Sequence, residues 1–242
     1  MAPYPKKRIV TLQLPSRARY QENLERLLEL MDEHTDADII VAPEVYLTAY
    51  DYEHLSTAAK FATKALKEIK QRCNDRIVVL TLLVEEEGKY YNQAVVVHKG
   101  KVVHRQEKVK LFKLGDEHRY LEAGKMRRIK PFEIDGVTYA LLICFELRFK
   151  DLWKQIEGAQ IVFVPARWGL PRKRHLEILS DALAVMNQCF VAVANSSDGD
   201  MASSSGIISP EGDALRDDSR EVLVRDVDLK EVAKMRRYIV MD

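Results

Sequence analysis

The chain has 242 residues, with 38 basic and 37 acidic side chains for a formal net charge of +1, and it is 47% apolar and 31% charged. That balance excludes a strongly basic nucleic-acid binder, gives no pull toward an anionic membrane, and is too apolar for a disordered chain. At this length one core buries about three quarters of the extended-chain surface, so residues 1–242 are expected to form one domain needing neither disulfide nor structural metal.

In chain order, Arg8 to Leu14 is a short β-rich run, and Leu24, Leu27, Leu28 and Met31 then follow the spacing of one helix face. Ala37 to Ala42 lacks alternation, as a strand buried on both faces does, and Leu55, Ala59, Ala62, Leu66 and Ile69 restore helical spacing. Three strand-like runs follow, Ile77 to Val84, Tyr91 to His98 and Lys101 to Val109, divided by Glu87-Gly88 and Lys99-Gly100 turns, so they read as antiparallel neighbours. Val137 to Ile143 is a further buried strand, and Phe149 to Ile156 has helical character. Ile161 to Val164 and Phe190 to Ala194 are strands around a helix carrying Leu176, Leu179, Leu183 and Met186. Short strands at Ile207-Ile208 and Val222 to Val227 close the series. This interleaving indicates an α/β protein whose helices cover mixed sheet, with one sheet or two left open.

The longest apolar runs, such as Tyr139 to Phe145, fall far short of the ~20 residues that cross a bilayer. The opening MAPYPKKRIVTLQL has neither the long apolar core nor the cleavage site of a secretory signal. Cys73, Cys144 and Cys189 are odd in number, with no CxxC pair, which fits reduced thiols in the cytoplasm. No membrane partner and no nucleic-acid partner is expected.

Several site types are excluded by inspection: there is no GxGxxG, no Gly-rich loop ending in GK[ST], no HExxH and no GxSxG. The six histidines are scattered, without ligand spacing, so no catalytic metal is expected. Cys144 stands out because a fully apolar strand ends there and charged residues follow at once; a helix starting near Leu147 would favour its thiolate. The ordinary alternative for a lone cysteine is inert core packing. Glu44, in VAPEVYLTAYD, follows a buried strand and a proline, where a carboxylate at a strand end can act as a general base. In EKVKLFKLGDEHRYLEAG, Lys108 closes a strand run and Glu117 comes later; alternation does not separate Lys108 from Lys110, which would share a strand face.

In this order the segments read PE at 43–44, KxxLF at 108–112 and CxExRF at 144–149. The set resembles the nitrilase, or carbon-nitrogen hydrolase, superfamily, whose triad is a glutamate, a lysine and a cysteine in that order. The likeness extends through Asn92 in YYNQAVVVHKG, the run from Glu117 to Gly124, PARW at 165–168 and NQCFVAVANSS from Asn187, and so over essentially the whole chain. It implies a four-layer αββα sandwich and a homodimer or higher homo-oligomer. It also implies Cys144 as nucleophile, Glu44 as general base, Lys108 beside the developing oxyanion and Glu117 as an additional glutamate near the lysine. Lys108 is chosen over Lys110 on that spacing. Acyl transfer through a Cys144 thioester would then need no cofactor and no metal.

Nitrile-cleaving members typically carry tryptophan and glutamate after the nucleophile, whereas CFELRF here resembles the CYDLRF form of the ω-amidase-like branch, and RWGLPRKRH is similar to some of its bacterial members. The implied substrate is a small aliphatic amide such as a dicarboxylic acid monoamide, with Phe145, Arg148, Arg167 and Trp168 as candidate substrate contacts. Arg148, Arg167, Arg172 and Arg174 offer guanidinium groups for a substrate carboxylate. The alternatives are hydrolysis of N-carbamoyl amines or amino acids, and a non-catalytic metabolite-binding protein of the same fold.

Overall fold

The computed structural model describes residues 4–241. The first half runs β1 (Lys6–Leu12), α1 (Tyr20–Glu33), β2 (Ile39–Val41), α2 (Leu55–Arg72), β3 (Ile77–Glu86), β4 (Lys89–His98) and β5 (Lys101–Glu107). The second runs α3 (Glu117–Tyr120), β6 (Phe132–Ile134), β7 (Val137–Leu141), α4 (Lys150–Gln155), β8 (Ile161–Ala166), α5 (Lys173–Met186), β9 (Phe190–Asn195), β10 (Gly206–Ile208), β11 (Ala214–Leu215), β12 (Val222–Asp228) and α6 (Lys230–Tyr238).

The strands form two six-stranded sheets, ordered β12-β1-β2-β3-β4-β5 and β11-β10-β9-β8-β7-β6. In the first, β1, β2 and β3 are parallel and the outer strands antiparallel; in the second, β7, β8 and β9 are the parallel set. Alternate residues of the first sheet face opposite ways. Ile9, Ile39, Val41, Ile77 and Val79 meet the second sheet around Tyr139 and Phe163. Val10, Leu12, Ile40, Val78 and Leu80 pack beneath Leu24, Leu27 and Met31 of α1 and Ala62, Ala65 and Ile69 of α2. Leu152 of α4, with Leu176 and Leu183 of α5, covers the second sheet. The result is helix, sheet, sheet, helix: a four-layer αββα sandwich, so the fold has two sheets.

The β3-β4 and β4-β5 hairpins close as the sequence predicts. Glu87 (φ 52°) with Gly88 (φ 75°), and Lys99 (φ 49°) with Gly100 (φ 69°), are both left-handed pairs that match the twist of the flanking strands. The third strand of this series ends at Glu107 rather than Val109, so Lys108 leaves the ladder and turns inward. Helix α6 is not among the elements expected from the sequence, and Val232 is its only buried residue.

Candidate active site

The site lies at the carboxyl ends of the parallel strands, where an open α/β sheet leaves a crevice. After β2, Ala42 still donates to Val79 O at 2.9 Å, and then Val45 adopts φ 44° while its N–H reaches Thr81 Oγ1 at 2.7 Å. A β-branched residue in the left-handed region is strained, and the sharp turn it makes directs Glu44 inward. Glu44 N–H in turn donates to Ala166 O, the end of β8, at 3.2 Å. After β7, Leu142 N–H bonds Phe163 O at 3.0 Å, and Cys144, also left-handed at φ 46°, opens a 3-10 turn over Cys144–Arg148.

Lys108 comes from the end of β5, its backbone N–H held by Asn92 O at 2.8 Å. Its ammonium has three protons and three acceptors: Glu117 Oε1 at 2.6 Å, Glu44 Oε1 at 2.8 Å and the Tyr50 hydroxyl at 3.2 Å. Glu44 Oε1 also accepts from Tyr50 at 2.6 Å and Asn92 Nδ2 at 2.8 Å, while Glu44 Oε2 accepts the Arg167 N–H at 3.1 Å. Glu117, on the short helix α3, is steadied by the Phe112 N–H at 3.0 Å and lies 2.9 Å from the Tyr50 hydroxyl. Lys110, by contrast, pairs with Asp151 at 3.6 Å away from this cluster. The structure therefore brings Glu44, Lys108 and Glu117 into direct contact. Cys144 lies at the same strand ends, close enough for the charges of Glu44, Lys108 and Glu117 to act on its thiol.

These groups are buried, and burial sets their electrostatics. Burial alone would lower Lys108, but the Glu44 and Glu117 carboxylates outweigh it and hold the ammonium well above the usual lysine range. Burial and the Glu44 charge raise Glu117 against the pull of Lys108. Burial and Glu44 also push the Cys144 thiol well above its ordinary value, with Lys108 and the Arg167 N–H opposing. This favours the thiol over the thiolate that a helix N-terminus would stabilise. Cys73 donates to Arg76 O and Cys189 is fully buried, with its thiol pushed up to about 12 by burial.

A small pocket opens onto the thiol, lined by Phe112, Phe145, Arg148, Arg167, Trp168 and Arg172 with Gly169. Arg167 turns its guanidinium to Asp198 at 2.5 Å, so its backbone rather than its side chain serves the cluster. Arg174 is bound to Glu177 on the surface. Arg148 lies over the Trp168 ring at 4.7 Å and Arg172 over Phe112 at 5.4 Å, and among the described residues neither has a carboxylate partner. Burial and the Arg172 cation hold Arg148 below the usual arginine range, which places two like charges at one pocket wall. Among the described residues no cluster of three or more His, Cys, Asp or Glu is placed to hold a metal.

Tyr50 was not legible as part of this cluster. It sits in an irregular loop six residues after Glu44, and no periodicity marks it. Asn195 was equally silent: its side chain accepts Trp168 N–H at 2.7 Å and so fixes the segment that presents the Arg167 N–H.

The chain belongs to the carbon-nitrogen hydrolase family, whose model matches residues 8–237. A 2-oxoglutaramate amidase of Bacillus subtilis is 35% identical over 220 residues, covering 86% of this chain and 84% of that protein. An omega-amidase of Escherichia coli is 30% identical over 224 residues, covering 89% and 86%. A superfamily protein from Xanthomonas campestris superposes with a TM-score of 0.85 at 20% identity, over 97% of this chain and 95% of that one. Nit3 of Saccharomyces cerevisiae does so at 0.83 and 19%, over 98% and 95%. The chain is accordingly a carbon-nitrogen hydrolase of the amidase type.

Proposed function

We propose that this amidase hydrolyses a small dicarboxylic acid monoamide through a thioester on Cys144, releasing ammonia. The observation that carries the reading is the Lys108 ammonium set between Glu44 and Glu117 at the floor of a pocket whose wall holds two uncompensated arginines. A cationic wall suits an amide with a free carboxylate at its far end, and the names of the relatives, 2-oxoglutaramate amidase and omega-amidase, agree with that chemistry.

Glu44 takes the thiol proton as Cys144 Sγ bonds to the amide carbon, and the carbonyl electrons move onto oxygen. Lys108 and the Phe145 N–H, which has no intrahelical acceptor in the first turn, face that oxyanion. Lys108 frees a donor by giving up its longest contact, to Tyr50. The intermediate collapses as Glu44 passes its proton to nitrogen, the C–N bond breaks and ammonia leaves. Glu44 then takes a proton from water, whose oxygen attacks the thioester, and returns it to the departing sulfur. Glu117 keeps the ammonium charged and in place.

The protein works in the cytoplasm as a homodimer. Supporting this, Ile178, Val185 and Met186 of α5, Tyr238 at the end of α6 and Ile239 to Met241 after it are exposed, and Met186, Val240 and Met241 share one groove. No described helix is long and apolar enough to cross a membrane. Light scattering on the purified chain reports its mass in solution.

The deciding experiment measures ammonia release from succinamate, from butyramide and from an N-carbamoyl amino acid, with Cys144→Ala as the blank. Succinamate is expected to be the best substrate and the blank inert. Ammonia persisting in the blank removes Cys144 from the mechanism, and carbon dioxide from the carbamoyl compound alone reassigns the substrate.

A further inference from the structure

Glu146 is fully buried, and among the described residues it has no ion-pair partner. Its two oxygens are nevertheless both engaged, Oε1 by the Val109 N–H at 2.6 Å and Oε2 by the Ile143 N–H at 2.7 Å. Val109 directly follows Lys108, and Ile143 directly precedes Cys144. The first lies past the end of β5 in one sheet and the second past the end of β7 in the other. One rigid carboxylate therefore spans the two sheets at the backbone positions that flank the lysine and the cysteine.

The surroundings show why this bond pair matters. Val109, Leu142, Ile143 and Leu147 are apolar and buried here, and apolar contact has no preferred direction. A neighbouring polar tie across the sheets, Gln106 Nε2 to Leu141 O at 2.9 Å, reaches β7 itself and leaves the 143–144 turn free to shift.

We propose that Glu146 is a positioning residue that locks the Lys108 end of β5 to the Cys144 turn and so fixes the distance between ammonium and sulfur during acyl transfer. A carboxylate is suited to this because both of its oxygens accept, whereas an amide or an acid offers one acceptor and one donor. Protonation would turn one oxygen toward an N–H as a donor and release one of the two segments. Burial pushes the Glu146 carboxyl up to about 7, with the two N–H donors pulling the other way. The charged group that acts on it is Lys108, and its other contacts, from Ile143 and Val109, are backbone N–H groups. The lock therefore opens on the acid side of neutrality.

The inference rests on the reading of Lys108 and Cys144 as the reacting pair. The test uses the full chain as wild type, Glu146→Gln and Glu146→Asp. It measures kcat and KM for succinamate from about pH 5 to about pH 9, and the alkylation rate of Cys144 by iodoacetamide over the same range. Wild type is expected to lose kcat below about pH 7 and its alkylation rate to fall more steeply there. Glu146→Gln is expected to lose roughly 10- to 100-fold in kcat at pH 8 with KM within about twofold, and to lack the limb. Glu146→Asp, one methylene short, is expected to fall between them and keep a limb. A Glu146→Gln enzyme with wild-type kcat and the wild-type limb overturns the proposal. Should that variant fail to fold, a wild-type profile with no inflection between pH 6 and pH 8 in either measurement does the same. Failure of the amidase reading is separate: wild type then releases no ammonia, while the alkylation profile still reports on the lock.

Discussion

The Tyr50 hydroxyl lies 2.6 Å from Glu44 Oε1, the shortest of three donor contacts to that one oxygen. With Oε1 saturated, Oε2, which accepts the Arg167 N–H alone, is the oxygen that would receive the thiol proton in the proposed mechanism. Tyr50→Phe removes a donor to Glu44 and an acceptor for Lys108 and Asn92 together. The expected outcome is roughly a tenfold loss in kcat, about 1.4 kcal/mol, with little change in KM. Steady-state kinetics on the two proteins decides it, and an unchanged kcat removes the hydroxyl from the reaction.

Lys108→Met would leave two buried carboxylates facing each other. The loss of stability is expected to be about 3–5 kcal/mol, since an unpaired buried charge costs more than the pair gained. Adding Glu117→Gln to that variant removes one of the charges and should recover part of the stability but none of the activity. Urea unfolding of the single and double variants reads the first expectation, and ammonia release the second.

On the proposed reading, Arg148 and Arg172 would divide substrates by charge rather than by size. Arg172→Gln is expected to raise KM for succinamate by at least about tenfold, as loss of one charge-assisted hydrogen bond does, while leaving KM for butyramide within about twofold. An equal rise for both substrates would mean that the side chain shapes the pocket instead.

The raised carboxyl of Glu146 also fixes a sign for stability against pH. Its folded-state value, about 7, lies above the ordinary glutamate value, so the folded form binds the proton more tightly than the unfolded chain does. The stability this gives is complete below about pH 4.5 and is lost as pH rises through about 7, up to about 3 kcal/mol in all. Glu146→Gln has nothing to titrate there. Its deficit against wild type should shrink as the pH of urea unfolding is raised from about 5 to about 8. A deficit that grows with pH contradicts the burial effect.

Much of this was legible in the residues, for physical reasons that differ from place to place. The helices under Leu24, Leu27 and Met31 and over Leu176 and Leu183 were readable because each buries one face against a sheet. Glu44 and Cys144 stood out because each follows or ends an apolar run, whereas Lys108 was separated from Lys110 only by the motif spacing of the resemblance. Tyr50, Asn195 and Glu146 did not, since their work is done through single hydrogen bonds between segments distant in sequence, which leave no period. The choice of two sheets was hidden for a similar reason: the inner faces of β2 and β8 read as apolar whether they meet helices or another sheet.

Strand β12 pairs with β1 along its full length, Lys6 opposite Asp228 and Leu12 opposite Val222. The edge of β1 therefore waits, open to any strand that passes, until Val222–Asp228, roughly two hundred residues downstream, has been made. Synthesis of β12 is then the step that completes this pairing, and a nascent chain stalled before it leaves an unpaired edge exposed to aggregation.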